Sequence, residues 1–263
     1  MTTATAATAH DPAPGGAAAA ARLSGVTQHF GEASRPPVLD RIDLTVAPGE
    51  FVCLLGASGC GKSTLLSLVA GLDRPVAGTV EVTGGRPARM FQEPALYPWL
   101  TAGGNVELAL RLRGVPRARR RAETERLLAL VRLEGAGGKR VHELSGRMRQ
   151  RVALARALAQ EGDLLLMDEP FAALDAITRD VLHEELTRIW AETGRAVIFV
   201  THNVREAVRL GQRVVLLSSR PGRIVREWTV DLPRPRRLED AGVARLSGEI
   251  TEHLRQEIAR HGH

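Results

Sequence analysis

Phe51-Val-Cys-Leu-Leu55, then Gly56-Ala-Ser-Gly-Cys-Gly-Lys62-Ser63, then an apolar helical pattern running to Ala70 and closed by Gly71, form one unbroken stretch. A short uninterrupted apolar run reads as a strand buried on both faces. The glycine-rich segment between strand and helix fits the phosphate-loop pattern in the context that pattern requires. Its glycines let the backbone wrap a polyphosphate, so that N–H groups and the helix N-terminus point at the anion. The loop therefore designates Gly56, Ala57, Ser58, Gly59, Cys60, Gly61, Lys62, Ser63 and Thr64 as a nucleotide cradle. Lys62 is placed to reach the β- and γ-phosphates, and the Ser63 hydroxyl to hold Mg²⁺. Kinases, GTPases and ATPases all share such a loop.

Working outward, Ile42, Leu44 and Val46 alternate ahead of a Pro48-Gly49 turn, as a half-buried strand does. Apolar runs recur at Leu164 to Met167, Ala196 to Val200 and Val214 to Leu217, with a helical pattern from Ile177 to Glu192 that puts Leu182, Leu186 and Ile189 on one face. Buried strands alternating with helices give an α/β fold with a mainly parallel sheet covered on both sides. No comparable strand pattern occurs from about Glu93 to Gln160, so that stretch is expected to be a helical subdomain inserted into the sheet domain. Val243, Leu246, Ile250, Leu254 and Ile258 recur at helical spacing, which predicts a short amphipathic helix in a C-terminal tail over 238–263.

Leu164 to Met167 leads directly into Asp168-Glu169, two acids at the sheet edge where ligands of such folds bind. Asp168 is placed to bind Mg²⁺ directly or through water. Glu169 can polarise the attacking water as the catalytic base, since hydrolysis needs an in-line nucleophile as well as charge neutralisation.

The 263 residues suffice for one sizeable domain with a smaller lobe. No apolar run approaches the roughly 20 residues that span a bilayer. Residues 1–21, mostly Ala, Thr, Pro and Gly, lack the basic start and Leu-rich core of a secretory signal and are read as a disordered tail. A cytosolic chain keeps its thiols reduced, so Cys53 and Cys60 are expected to remain unpaired. The net charge of +6 comes almost wholly from arginine and suits an anionic partner such as the cytoplasmic face of a membrane. Nucleic acid is set aside: aromatics are few, and the basic run Arg117 to Arg121 leads into an amphipathic pattern at Leu127, Leu128 and Val131.

Leu144-Ser145-Gly146, followed by Arg147-Met148-Arg149-Gln150-Arg151 and an alanine- and leucine-rich run to Leu158, resembles the signature loop and helix of the ABC transporter nucleotide-binding family. The resemblance extends from about Leu23 to Pro235. It implies a P-loop NTPase of RecA-like type, a mixed sheet core with an inserted helical subdomain at about 93–160, the whole nucleotide-binding domain spanning 22–237. It assigns Gln92, in Met90-Phe91-Gln92-Glu93-Pro94, to the loop that meets Mg²⁺ and the membrane subunit. It makes Ala173-Leu174-Asp175 the segment crossing to a partner chain, His202 the switch that contacts the γ-phosphate, and Phe30 the ring that stacks on adenine. In the family, Ser145, Gly146 and the helix they open clasp the nucleotide held by the opposite chain, so two ATPase chains, identical or paralogous, close around ATP.

Arg147 departs from the family, which has a second glycine there. Its bulk opposes close approach of phosphate while its charge favours it. The expectation is that the side chain turns outward and the backbone N–H stays in place; the alternative is a weakly hydrolysing or non-hydrolysing partner in an asymmetric pair. The stretches Phe91 to Thr101, Ser219-Arg-Pro-Gly-Arg223 and Asp231-Leu-Pro-Arg-Pro-Arg236 are similar to those of ATPases that power nitrate, sulfonate or taurine importers. That likeness implies a peripheral subunit on the cytoplasmic membrane face, working with transmembrane permease subunits and, indirectly, a solute-binding protein.

Overall fold

The structure, a computed structural model, describes residues 19–31, 36–160, 162–172 and 174–261. Residues 1–18 of the expected tail and Ala173 lie outside the described residues. Ala20 and Ala21, assigned to the tail by composition, are buried, and Ala21 opens the first strand, β1 (Ala21–Gln28).

Two sheets organise the chain. The larger has six strands in the order β5 (Ala88–Met90), β6 (Leu164–Asp168), β7 (Ala196–Val200), β3 (Phe51–Leu55), β8 (Arg213–Leu217), β9 (Ile224–Thr229). Its first five strands are parallel and β9 closes it antiparallel, which makes the sheet mixed as expected. The smaller sheet, β2 (Leu39–Val46), β1 and β4 (Ala77–Val82), is antiparallel and was not expected.

Side-chain alternation along β3 separates two cores. Phe51, Cys53 and Leu55 face one core, together with the helical region, α5 (Ala176–Thr193), α6 (Val204–Leu210) and Ile250. Val52 and Leu54 face the other, built with α1 (Lys62–Val69) and the small sheet. The large sheet is thus covered on both sides, one cover being partly a second sheet.

Residues 93–160 contain α2 (Ala102–Leu112), α3 (Arg117–Leu130), a 3-10 turn (Val141–Glu143) and α4 (Gly146–Leu158), and no named strand among the described residues. The C-terminal helix α7 (Ala241–His261) differs from expectation. It is 21 residues long, and Val243 and Ile250 are fully buried in the first core, so it is part of the packed body rather than a short tail. Val243 and Ile250, two helical turns apart, lie on one face of it.

Candidate functional site

Strand β3 delivers the chain to the phosphate loop at the end of the sheet. Gly61, with φ of 101°, caps α1 without a side-chain hydrogen bond. A Cβ there would sit 2.6 Å from Leu39 Cδ2, so glycine is required by both dihedral and space. Lys62 is buried, and its Nζ donates to the carbonyls of Gly56 and Ala57, each at 2.9 Å. Cys60 is also buried, and desolvation raises its thiol pKa despite Lys62 nearby, so the sulfur remains a neutral packing group. Cys53 and Cys60 are both free thiols. Arg220 lies against the loop, its Nε donating to the Gly59 carbonyl at 3.4 Å.

The acids stand where β6 ends. Ser63 Oγ donates to Asp168 Oδ1 at 3.2 Å, joining loop and strand across 105 positions of sequence. Glu169 takes φ of 45°, a left-handed turn uncommon for a residue with a Cβ, and its N–H donates to the Val200 carbonyl at 3.0 Å. That turn brings Glu169 Oε2 to 2.9 Å from His202 Nδ1. Behind His202, the Thr201 hydroxyl donates to Glu206, whose Oε1 lies 2.5 Å from His183 Nε2. Thr201, Glu206 and His183 are all buried, so the neighbour of His202 is anchored below the surface. Sequence reasoning passed over Glu206 and His183, because a charged residue in a helix reads as a solvated face until its burial is known.

The signature segment forms a second locus. Ser145 caps α4, accepting from the Met148 N–H at 3.2 Å, as its residue type suggested. The Arg147 side chain is held by α5: its Nη2 donates to Thr178 Oγ1 at 2.6 Å. The Thr178 N–H in turn donates to Asp175 Oδ1 at 2.9 Å, which caps α5. Hydrogen bonds from Thr178 hold the Asp175 carboxyl below its ordinary pKa, with Arg147 adding a smaller effect in the same direction. Ser145, Gly146, Arg147, Asp175 and Thr178 line one open pocket of about 530 Å³ that includes no residue of the phosphate loop.

Two further expected residues stand apart. Phe30, just beyond β1, is 54% exposed. Gln92 is exposed and its carbonyl accepts from Gln150 Nε2 at 3.2 Å, tying the loop to α4. Beside it runs a groove of about 1040 Å³ lined by Leu72, Arg89, Phe91, Tyr97, Leu112 and other residues. No helix among the described residues is long and apolar enough to cross a membrane.

A family model described as ABC transporter matches residues 39–172. The taurine import ATP-binding protein TauB of Mesorhizobium japonicum is 44% identical over 246 residues, which cover 88% of this chain and 95% of that protein. Its namesake from Chromobacterium violaceum is 46% identical over 230 residues, covering 84% and 88%. An uncharacterized ABC transporter ATP-binding protein of Methanocaldococcus jannaschii is 44% identical over 234 residues, covering 86% and 88%. Among solved structures, the dimeric post-hydrolysis state of the ATP-binding cassette MJ0796, bound to ADP and Pi, superposes with a TM-score of 0.69 at 31% identity. The match covers 81% of this chain and all of that one.

Proposed function

The chain belongs to the ABC transporter family, and on that footing we propose that it is the ATP-hydrolysing subunit of a bacterial importer of taurine-like sulfonates or nitrate, held peripherally on the cytoplasmic membrane face. The likeness to taurine import proteins at 44–46% identity supports the solute class. The observation that carries the catalytic reading is the contact of Glu169 with His202 at 2.9 Å, beside the Ser63–Asp168 bond.

In this reading ATP lies on the phosphate loop with its adenine on Phe30. The free N–H groups of the loop and of the first turn of α1 bind the phosphate oxygens. Lys62, whose ammonium is satisfied by two carbonyls here, exchanges part of that coordination for the β- and γ-phosphates. The hydroxyl of Ser63 and the carboxylate of Asp168 supply hard oxygen donors already within hydrogen-bond distance of one another, a set that suits Mg²⁺, with Gln92 as a further oxygen donor. Bound there, Mg²⁺ supplies positive charge to the terminal phosphates. Glu169 accepts a proton from the attacking water, and His202, held by the same carboxylate, orients it and donates to the γ-phosphate.

Ser145 and Gly146 meet the nucleotide of a second ATPase chain, which is why their pocket contains no residue of the phosphate loop. Permease subunits seat in the groove beside Gln92, whose exposed Phe91, Tyr97 and Leu112 offer an apolar surface. The test is steady-state hydrolysis of Mg·ATP by purified protein. Wild type turns over, while Glu169→Gln and Lys62→Ala each lose about 10²-fold or more. Equal rates for wild type and Glu169→Gln would remove Glu169 as the base. Uptake of labelled taurine, other sulfonates or nitrate by the assembled transporter tests the solute class, which fails if none is carried.

A further inference from the structure

Arg89 has no part in that mechanism, yet it stands between the two surfaces the mechanism uses. On β5, Ala88 and Met90 are buried in the first core; Arg89, between them, points to the opposite face of the sheet. It pairs in register with Leu166, two residues before Asp168 and therefore on the same face as that acid. Its Nη2 lies 3.6 Å from Asp168 Oδ2, and its Nη1 donates to Ser67 Oγ of α1 at 3.0 Å. The Arg89 and Asp168 side chains are only 12% and 14% exposed, so solvent screens the pair weakly. On its other side the guanidinium carbon sits 4.6 Å from the centroid of the Phe91 ring. Phe91 is 44% exposed, lines the groove and precedes Gln92.

The two oxygens of Asp168 are therefore both engaged, Oδ1 by the Ser63 hydroxyl and Oδ2 by Arg89. A guanidinium on a carboxylate competes with a divalent cation for the same lone pairs, and its charge opposes the cation at short range.

We propose that Arg89 is a positioning residue that holds down the metal affinity of Asp168 and links it to the groove through Phe91. A permease segment seated on Phe91 shifts the ring, the guanidinium follows, and the second carboxylate oxygen is released to the metal. Metal loading is thereby coupled to the presence of the transport partner. This rests on the reading of Asp168 as the metal-binding acid and of the groove as the permease seat.

The experiment uses full-length protein carrying Glu169→Gln, so that ATP persists, with Mn²⁺ as the probe and free Mn²⁺ followed by electron paramagnetic resonance. In the presence of ATP, Arg89→Met and Arg89→Gln should each bind Mn²⁺ roughly five-fold or more tightly than the parent, the lower end of coupling between sites. Arg89→Gln keeps a polar partner for Ser67 and decides the matter if Arg89→Met does not fold. Phe91→Ala, a change at an exposed position, should move the affinity the same way by a smaller factor, and by nothing further when Arg89 is already Met or Gln. Unchanged or weaker Mn²⁺ binding in both Arg89 variants overturns the proposal and leaves Asp168 as the metal acid. So does a Phe91→Ala effect that persists when Arg89 is already Met or Gln. Absence of Mn²⁺ binding in the presence of ATP in the parent and in both Arg89 variants alike overturns the metal reading of Asp168 itself, a separate result.

Discussion

At the scale of single residues, Arg147 is the instructive departure. Its sequence position set bulk against charge, and no rule of residue type resolves that contest. In the structure the side chain leans onto Thr178, while Ser145 and Gly146 remain exposed. An active ATPase is therefore the reading to test, against the weakly hydrolysing alternative. Arg147→Gly should leave ATP turnover within about three-fold of wild type, because the guanidinium is held on Thr178 and has no assigned part in binding the nucleotide. It should also lower stability in urea by about 1 kcal/mol, from a lost part-buried hydrogen bond and a glycine in a helix. Turnover that rises ten-fold or more on the change would revive the impaired-partner reading. Among the proposed site residues, Lys62, Ser63, Asp168, Glu169 and His202 were legible because each is tied to a short motif. Arg89 was not, because nothing distinguishes one arginine among many until its neighbours are known.

At the scale of elements, the helical region is joined to the sheet domain by charge as well as apolar packing. Glu185 of α5 is 2% exposed and pairs with Arg151 of α4 at 3.0 Å and with Arg132 at 3.7 Å. Desolvation raises the pKa of the Glu185 carboxyl, with Arg151 the largest opposing influence. Arg151→Met leaves that carboxylate with only the longer pairing and should cost about 2–3 kcal/mol, somewhat below the range for breaking a fully buried pair. The penalty depends on pH with a definite sign. A carboxyl with a raised folded pKa binds more protons in the native state, so its contribution is present below the unfolded value and lost as pH rises through the folded one. Urea midpoints should therefore show a larger penalty at pH 7.5 than at pH 5. A penalty equal at both would mean that the charge of Glu185 is not what the arginines stabilise. The buried strands and long helices were legible from uninterrupted apolar runs and 3.6-residue spacing. Strand β1, interrupted by Gly25 and mixed in polarity, carries no such signal and takes its structure from pairing with β2 and β4.

At the scale of the whole molecule, the two proposed halves of a nucleotide site lie in different places on one chain. The phosphate loop, Asp168 and Glu169 gather at the end of the large sheet, while Ser145, Gly146 and Asp175 line a separate pocket. The related cassette is likewise dimeric in its ADP- and Pi-bound state. ATP that cannot be hydrolysed should accordingly join two chains: sedimentation of Glu169→Gln should shift from monomer to dimer on adding ATP. Ser145→Arg, which adds bulk at the mouth of the pocket, should weaken that shift without preventing nucleotide binding. A dimer indifferent to ATP would count against a shared site. While His202 was singled out by the family resemblance, the sequence by itself determined the phosphate-loop pattern, the adjacent acids and the alternation of buried strands with helices. Those depend on residue types at short, fixed spacings and on local periodicity, which the chain carries wherever it folds. Only the tertiary structure decided where Arg147 points, that α7 belongs to the main core, and that Arg89 stands between Asp168 and Phe91. Such contacts join residues tens of positions apart, and their partners are set by how sheets and helices pack rather than by any neighbour in sequence.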